Sequence, residues 1–381
     1  MNFTPNIRKI RYKIFILLEV IINSILFVIN YIFFLLSNKE TKKSVLLTRL
    51  DSIGDFVLFT ATIPNYRKLY EDYEIVLLVR DIVFDFARNC PYVDQVWKIS
   101  QGPFRINILY KLKWLKKIRK YKFEKAIQPI YSNSFDFFNI LIASSFAKDR
   151  IAYMTGKRIK GIYFNRLYDN DFDKKTFEIT RNNKMVKYLG YDGILNTDTS
   201  IWFDDNNIYK KWKEILNDEY VVLFPGAQVD FRKFDKNKYL EIINEIKEFK
   251  WVICGSKNEK YLGHFFKKNS NTKIIDLTGK TSLLELAYII KNARYVLSNE
   301  TVAVHISAAM GTKTFCVMGG GHYGRFYPYP NNENTIAITH KMDCFNCDWK
   351  CIFPEKKCIT KITTKEVIKN IKNILNKGVL N

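Results

Sequence analysis

Thr301, Val302, Ala303 and His305 are placed so that a helix start could receive an anion, with Glu300 in the turn before them. They lie in the stretch Tyr295 to Met318, YVLSNETVAVHISAAMGTKTFCVM. Tyr295 to Ser298 is short, apolar and β-prone, and Asn299 and Glu300 supply a turn. Thr301 can cap a helix, Gly311 ends it, and Thr314 to Met318 forms the next strand. The first turn of such a helix offers the NH groups of Thr301, Val302 and Ala303 and a partial positive charge. At the carboxyl edge of a parallel sheet that is a site for a diphosphate. His305 falls one turn inside; the same pattern also describes an ordinary βαβ unit with a packed histidine. Two other polar loops have the same placement after a strand. Asp51-Ser-Ile-Gly54 leads into Asp55, and Pro225-Gly226-Ala227 leads into a loop from Gln228 to Lys236 that carries Arg232 and Lys233. Asp169 to Asp173 contains an Asp-x-Asp spacing suited to a divalent metal, but it follows no strong strand and reads as a solvated loop. Cys344, Cys347, Cys351 and Cys358 have spacings that could hold zinc, or form a reduced or disulfide-linked structural cluster.

The elements needed to position these groups alternate along the chain. Strands are expected at Ser44 to Leu50, Glu74 to Arg80, Val93 to Lys98, Phe123 to Gln128 and Arg150 to Tyr153, and a helix from Asp55 to about Tyr70. An irregular, polar stretch from Asn196 to Asp218 reads as a linker. A second unit follows, with strands at Tyr220 to Phe224, Trp251 to Cys254 and the two flanking Glu300. Ser282 caps a helix through Lys291, and the last helix runs from Thr364 to Leu375. The alternation implies α/β domains with parallel sheets. The expected divisions are 1–43, 44–200, 219–335 and 336–381.

Ile14 to Leu36 is 23 residues long and almost wholly apolar, about 35 Å as a helix, enough to cross a bilayer. No small-residue cleavage site follows it, so a signal peptide is not expected. Glu19, Asn23, Asn30 and Ser37 fall within about 40° of one another on that helix, a narrow polar stripe. Arg8, Lys9, Arg11 and Lys13 precede the run, and Lys39, Lys42 and Lys43 follow it. With basic residues on both flanks the positive-inside rule does not favour crossing; a helix lying in, or dipping into, the cytoplasmic leaflet satisfies both, and a single span or a helix buried against the protein stays open. From Arg105 to Lys125 the pattern is a basic amphipathic helix, with Ile108, Leu109, Leu112, Leu115 and Ile118 on one face and Lys113, Lys116, Lys117 and Lys120 on the other. It reads as a solvated helix or as a surface for acidic headgroups or an acidic acceptor, and Lys157, Arg158 and Lys160 add to that positive half. The formal charge of +23 over 381 residues favours anionic partners, although abundant lysine, asparagine and isoleucine also describe a biased genome. The 58 aromatic residues are not interleaved with basic ones in any RNA-binding motif, so nucleic acid is not expected as a partner.

The segments LLTRLDSIGDFVLFTATIP, FPGAQVDFRKFDKNKY and LTGKTSLLELAYIIKNARYVLSNETVAVHISAAMGTKTFCVMG, with the terminal cysteine group, resemble glycosyltransferase family 9, the bacterial heptosyltransferases. Order and separation agree from about Ser44 to Ile368. The resemblance implies a GT-B architecture, two Rossmann-like domains facing across a cleft, the first binding the acceptor and the second the nucleotide-sugar donor. It implies that Asp55, with Asp51 as the nearby alternative, is the base of an inverting, metal-independent transfer. It places Gly226, Ala227, Gln228, Arg232, Lys233, Glu300, Thr301, Val302 and His305 around the donor, while Ser52, Gly54, Lys113 and Lys117 are expected on the acceptor side. Glu300-Thr301-Val302 stands where the family has Asp-Ser/Thr-Gly, so the donor sugar is open.

The function expected is transfer of heptose from ADP-heptose to a lipid-linked anionic glycan such as the lipopolysaccharide core, at the cytoplasmic face of the inner membrane through residues 14–36. Another nucleotide sugar, used for capsule or surface polysaccharide, is the alternative within the class. A non-catalytic basic membrane or nucleic-acid adaptor on a degenerate GT-B frame is the alternative outside it.

Overall fold

The computed structural model describes residues 5–37, 40–131, 138–154, 163–169, 173, 175–203, 206–213 and 215–377. Lys157, Arg158, Lys160 and the middle of the Asp-x-Asp loop, Asn170 to Phe172, lie outside them. The chain divides into two compact units. One comprises Met1–Asp51, Ile63–Asp171 and Asn182–Leu195; the other comprises Ser52–Thr62, Phe172–Arg181 and Asn196–Asn381.

The first unit begins with helix α1, Pro5–Leu35. Its sheet contains β1 (Lys42–Arg49), β2 (Glu74–Arg80), β3 (Gln95–Ile99), β4 (Phe123–Gln128), β5 (Asp149–Tyr153) and β6 (Arg166–Tyr168), all parallel, in the order β3-β2-β1-β4-β5-β6. The central strands are continuous apolar runs because both faces are covered: Val45, Leu46, Leu47, Val76, Leu77 and Ile127 are fully buried. Arg49 is the buried charge among them. It donates to the Pro129 carbonyl (2.8 Å) and Asn182 Oδ1 (3.1 Å) while pairing with Asp51 at 2.8 Å, so its charge is fully answered.

The expected helix from Asp55 to Tyr70 is two helices, α2 (Ile53–Thr60) and α3 (Ile63–Leu69). Pro64 has no NH for the Thr60 carbonyl, and its ring would crowd that carbonyl in a continuous helix. The segment from Arg105 to Lys125 is likewise not one helix. It is α4 (Gln101–Ile106), α5 (Ile108–Tyr121) and the start of β4. Asn107 caps α5 by accepting from the Tyr110 NH at 3.0 Å, and Lys122 stops it in the left-handed region at φ 64°. The predicted apolar face holds for Leu115 and Ile118, whereas Ile108 and Leu109 are exposed.

The second unit repeats the scheme with β7 (Tyr220–Phe224), β8 (Lys250–Ile253), β9 (Ile274–Asp276), β10 (Val296–Asn299), β11 (Thr314–Val317) and β12 (Thr335–Ile338). Its order, β12-β11-β10-β7-β8-β9, is again that of a doubly wound Rossmann sheet. The stretch read as a linker carries a helix at Asn206–Lys213. Helix α6 (Leu283–Lys291) starts in a capping box between Ser282 and Glu285, α7 (Val302–Met310) follows β10, and α8 (Thr364–Lys377) closes the chain. Two apolar clusters pack this sheet. One includes Trp251, Tyr295 and Phe315 with Val367 and Ile371 of α8; the other joins Leu58 and Ala61 to Val304, Cys316, Met318 and Tyr327.

Candidate active site

In the second sheet the strand order reverses between β7 and β10, and the carboxyl ends of these neighbours are where a doubly wound sheet binds ligands. Asn299 ties the two ends together. Fully buried, it donates to the carbonyls of Pro225 (2.6 Å) and Gly226 (3.2 Å), and its Oδ1 accepts from the Phe234 NH (3.0 Å) and the Tyr239 hydroxyl (2.9 Å). All four hydrogen-bonding capacities of the amide are engaged. The turn at Gly226 is also filled by protein, since a Cβ there would lie 1.7 Å from Glu259 Oε1. Ala227 is buried and Gln228 exposed beyond it.

After β10, Glu300 is buried and Thr301 caps α7. The Ala303 NH, expected to be open to a ligand, donates to Thr301 Oγ1 at 3.4 Å. The short hydroxyl next to it captures that donor, leaving the start of the turn at Thr301 and Val302. Arg232, on a short 3-10 turn, brings its guanidinium to this point. Its Nη1 is 3.8 Å from Glu300 Oε1, and its Cζ is 5.5 Å from the Trp349 ring centre. Burial raises the Glu300 carboxyl to about 7, with the Arg232 charge opposing the rise. Two polar atoms here are buried without a hydrogen-bond partner, Arg232 Nε and Glu300 Oε2. An unpaired donor and an unpaired acceptor on this ion pair suit a ligand that carries both an anion and hydroxyl groups. Lys233 instead pairs with Asp230 at 2.7 Å.

His322 was not foreseen from sequence. Arg232 Nη2 donates to its Nδ1 at 3.3 Å, which puts the imidazole proton on Nε2, facing Asp348 Oδ1 at 3.6 Å. Burial, with the charges of Arg232 and Arg325, lowers its pKa to about 4. The tail supplies the floor of this group: Phe345 and Trp349 pack onto Gly320 and Gly321 so closely that a Cβ would lie 2.0 and 2.4 Å from their rings. Gly319-Gly320-Gly321 and the bulky aromatics between the cysteines were the available signal; their meeting depends on tertiary structure. The four tail cysteines are free thiols lining one pocket. Among the described residues no three or more His, Cys, Asp or Glu side chains are gathered as a metal-ligand set.

Asp55 belongs to the same unit. Ser52 caps α2 and donates its hydroxyl to Asp55 Oδ2 at 2.5 Å, leaving the carboxylate half-exposed. Gly54 has a local requirement, since a Cβ would meet His305 Cδ2 at 2.8 Å. His305 is buried, with Nδ1 3.2 Å from the Tyr329 hydroxyl. Burial lowers its pKa to about 4 although the Asp55 charge acts the other way. It is therefore neutral at pH 7 and contributes orientation rather than charge. Asp55, Gly54, His305, Arg232, Glu300 and Thr301 thus share one unit, whereas Lys113 and Lys117 lie on α5 of the other. Asp51, the alternative base, is held by Arg49.

Two Rossmann-ordered sheets, with a helix start and a basic side chain at the second switch point, are those of the GT-B architecture. Residues 147–353 match Glycosyltransferase family 9 (heptosyltransferase), just over half of the chain, and the chain belongs to that family. It is 25% identical over 294 residues to lipopolysaccharide heptosyltransferase 3 of Escherichia coli K12, covering 73% of this chain and 83% of that protein. A family 9 glycosyltransferase from Veillonella parvula shares the fold with a TM-score of 0.73, at 15% identity over 90% of this chain and 99% of its own. The E. coli ADP-heptose LPS heptosyltransferase II gives 0.69, at 14% identity over 88% and 99%. The adaptor alternative gives way to an enzyme.

Proposed function

We propose that this enzyme transfers heptose from ADP-heptose to the lipid-linked core of lipopolysaccharide, with inversion and without a metal, at the cytoplasmic face of the inner membrane. The observation that carries the reading is the Arg232–Glu300 pair beside the start of α7, whose Nε and Oε2 are buried without a hydrogen-bond partner. Arg232 and the Val302 NH stabilise the diphosphate as the glycosidic bond breaks. Glu300 takes hydroxyls of the donor. Asp55, held by Ser52, accepts the proton of the acceptor hydroxyl as it attacks the anomeric carbon. The two E. coli relatives named above are lipopolysaccharide heptosyltransferases, which supports that acceptor. The domain assignment, acceptor in the first domain and donor in the second, is part of the same proposal.

Cys344, Cys347, Cys351 and Cys358 have zinc-like spacing and share a pocket, but their side chains are not gathered as a ligand set, so a structural zinc would require them to draw together; metal analysis of the purified protein tests it. Glu300 and Val302 favour a second reading, another nucleotide sugar used for a surface polysaccharide, because Val302 narrows the backbone approach that glycine leaves open. Thermal unfolding of the full chain with ADP, UDP, GDP or CMP separates the two. A ligand at 100 times its dissociation constant adds ~2.7 kcal/mol. A selective shift with ADP, without added metal, supports the ADP-heptose reading; a selective shift with UDP or GDP replaces it with the second.

A further inference from the structure

Helix α1 offers its polar stripe to its own unit. Glu19, Asn23 and Asn30 are buried. Arg105 Nη2 of α4 pairs with Glu19 Oε2 at 3.3 Å, Lys111 Nζ of α5 donates to Asn23 Oδ1 at 2.8 Å, and Arg119 Nη1 donates to Asn30 Oδ1 at 2.8 Å. The partners advance in step, so α1 and α5 run alongside each other in the same direction. Asn23 to Asn30 is about 10 Å of helix and Lys111 to Arg119 about 12 Å. A second side of α1 is held by aromatic packing. Phe34 stacks on Phe146 at 4.4 Å, Phe27 and Tyr31 each lie 5.7 Å from the same ring, and Leu26 enters the core. The remaining face is apolar and uncovered: Leu17, Ile21, Ile25, Val28, Ile32 and Leu36 are each 46% to 80% exposed.

We infer that α1 lies in the plane of an anionic bilayer as a single-leaflet helix built into the first unit, its uncovered face among the acyl chains and the lysines of α5 at the headgroups. This inference rests on the membrane location proposed above and settles how the helix meets the membrane. Length alone does not distinguish the two poses, because the apolar window Leu17–Leu35 is long enough to cross. The side-by-side helices do. Lys113, Lys116, Lys117 and Lys120 are exposed and stand level with the middle of that window. A perpendicular α1 would carry them to the bilayer centre, where even insertion scales charge about 2.5 kcal/mol or more per lysine. Freeing α1 from α5 to avoid this would strip the buried Lys111 and the half-buried Arg119 of their partners. In the plane, the same lysines stay outside the acyl layer, and their charge favours an anionic membrane over a second copy of this basic chain.

The experiment uses the full chain on vesicles of phosphatidylethanolamine and phosphatidylglycerol, with tryptophan placed singly by Leu18→Trp, Ile25→Trp and Ile32→Trp. These positions share the outward face at seven-residue intervals. Quenching by lipids brominated at different acyl depths, measured against the parent protein, gives the depth of each. An in-plane helix puts all three at one depth. A spanning helix separates successive positions by about 10 Å, and that result would overturn the inference while leaving membrane association intact. Failure of the parent protein to float with vesicles, or a lipid-free soluble dimer in its place, would overturn the membrane location itself. The triple variant Lys113→Gln, Lys116→Gln, Lys120→Gln checks the headgroup contact. Its affinity for these vesicles should fall about a hundredfold, and unchanged affinity would refute that part.

Discussion

Replacing Glu300 by Gln removes a carboxyl that burial raises to about 7 from an ordinary value of 4.5. The direction of the stability effect follows from proton counting. Between these values the folded protein holds a proton that the unfolded chain has released, so this group makes the protein less stable as pH rises through that window. Each pKa unit corresponds to about 1.4 kcal/mol, so the cost at pH 8 is about 3 kcal/mol relative to pH 4. Gln keeps the shape and does not titrate. Relative to the parent, E300Q should therefore gain about 3 kcal/mol between pH 4 and pH 8. For a unit of 150–250 residues that is roughly 6 °C or more in Tm. The assay is thermal unfolding of both full-length proteins in mild detergent across that range, with far-ultraviolet dichroism at pH 5 to establish equal folding. A Tm difference that stays flat with pH would refute the desolvated position of this carboxylate, since an exposed acid titrates alike in both states, and the opposite slope would mean that the Arg232 charge outweighs burial.

Asp55→Asn should lower kcat by ~10²-fold or more, the range of a lost general base, with little change in donor KM; steady-state kinetics decide, and undiminished turnover sinks the assignment. His322→Ala should raise the KM for donor more than it lowers kcat, because Arg232 loses the acceptor that aims it; His322→Gln should restore part of the loss. Gly54→Ala forces a methyl against the His305 ring and should destabilise the protein by about 1–3 kcal/mol, read as a lower Tm. The buried His305 contributes the opposite pH slope to Glu300: its pKa of about 4 lies below the ordinary 6.5, so its stabilising contribution is lost as pH falls from 6.5 to 4. His305→Gln should flatten the parent's acid-side loss of Tm.

The central strands were legible because a sheet covered on both faces writes continuous apolar runs. Glu74 to Arg80, Phe123 to Gln128 and Tyr220 to Phe224 stand as expected. The edge strands β6, β9 and β12 were not, since three or four partly exposed residues carry no such run. Ser282, Thr301 and Gly311 announced helix ends through local chemistry. Arg232 and Glu300 were found by their positions after strands, but His322 meets Arg232 across 90 residues and Trp349 approaches from farther still. Such a pair has no local pattern. The polar stripe of α1 was visible as a stripe; that its partners are Arg105, Lys111 and Arg119 was not, because those residues read equally well as solvent-facing cations.

The allotment of Ser52–Thr62 to the second unit has a consequence for biosynthesis. Phe56, Val57, Leu58 and Phe59 are almost wholly buried in the finished protein, and Leu58 has its packing partners at Val304, Cys316 and Met318. At about 5–20 residues per second a ribosome needs roughly 13–50 s to travel from one to the other. For that interval the nascent chain carries a greasy helix whose native cover has not been made. Until Val304, Cys316 and Met318 have been made, this helix is an exposed apolar surface open to aggregation.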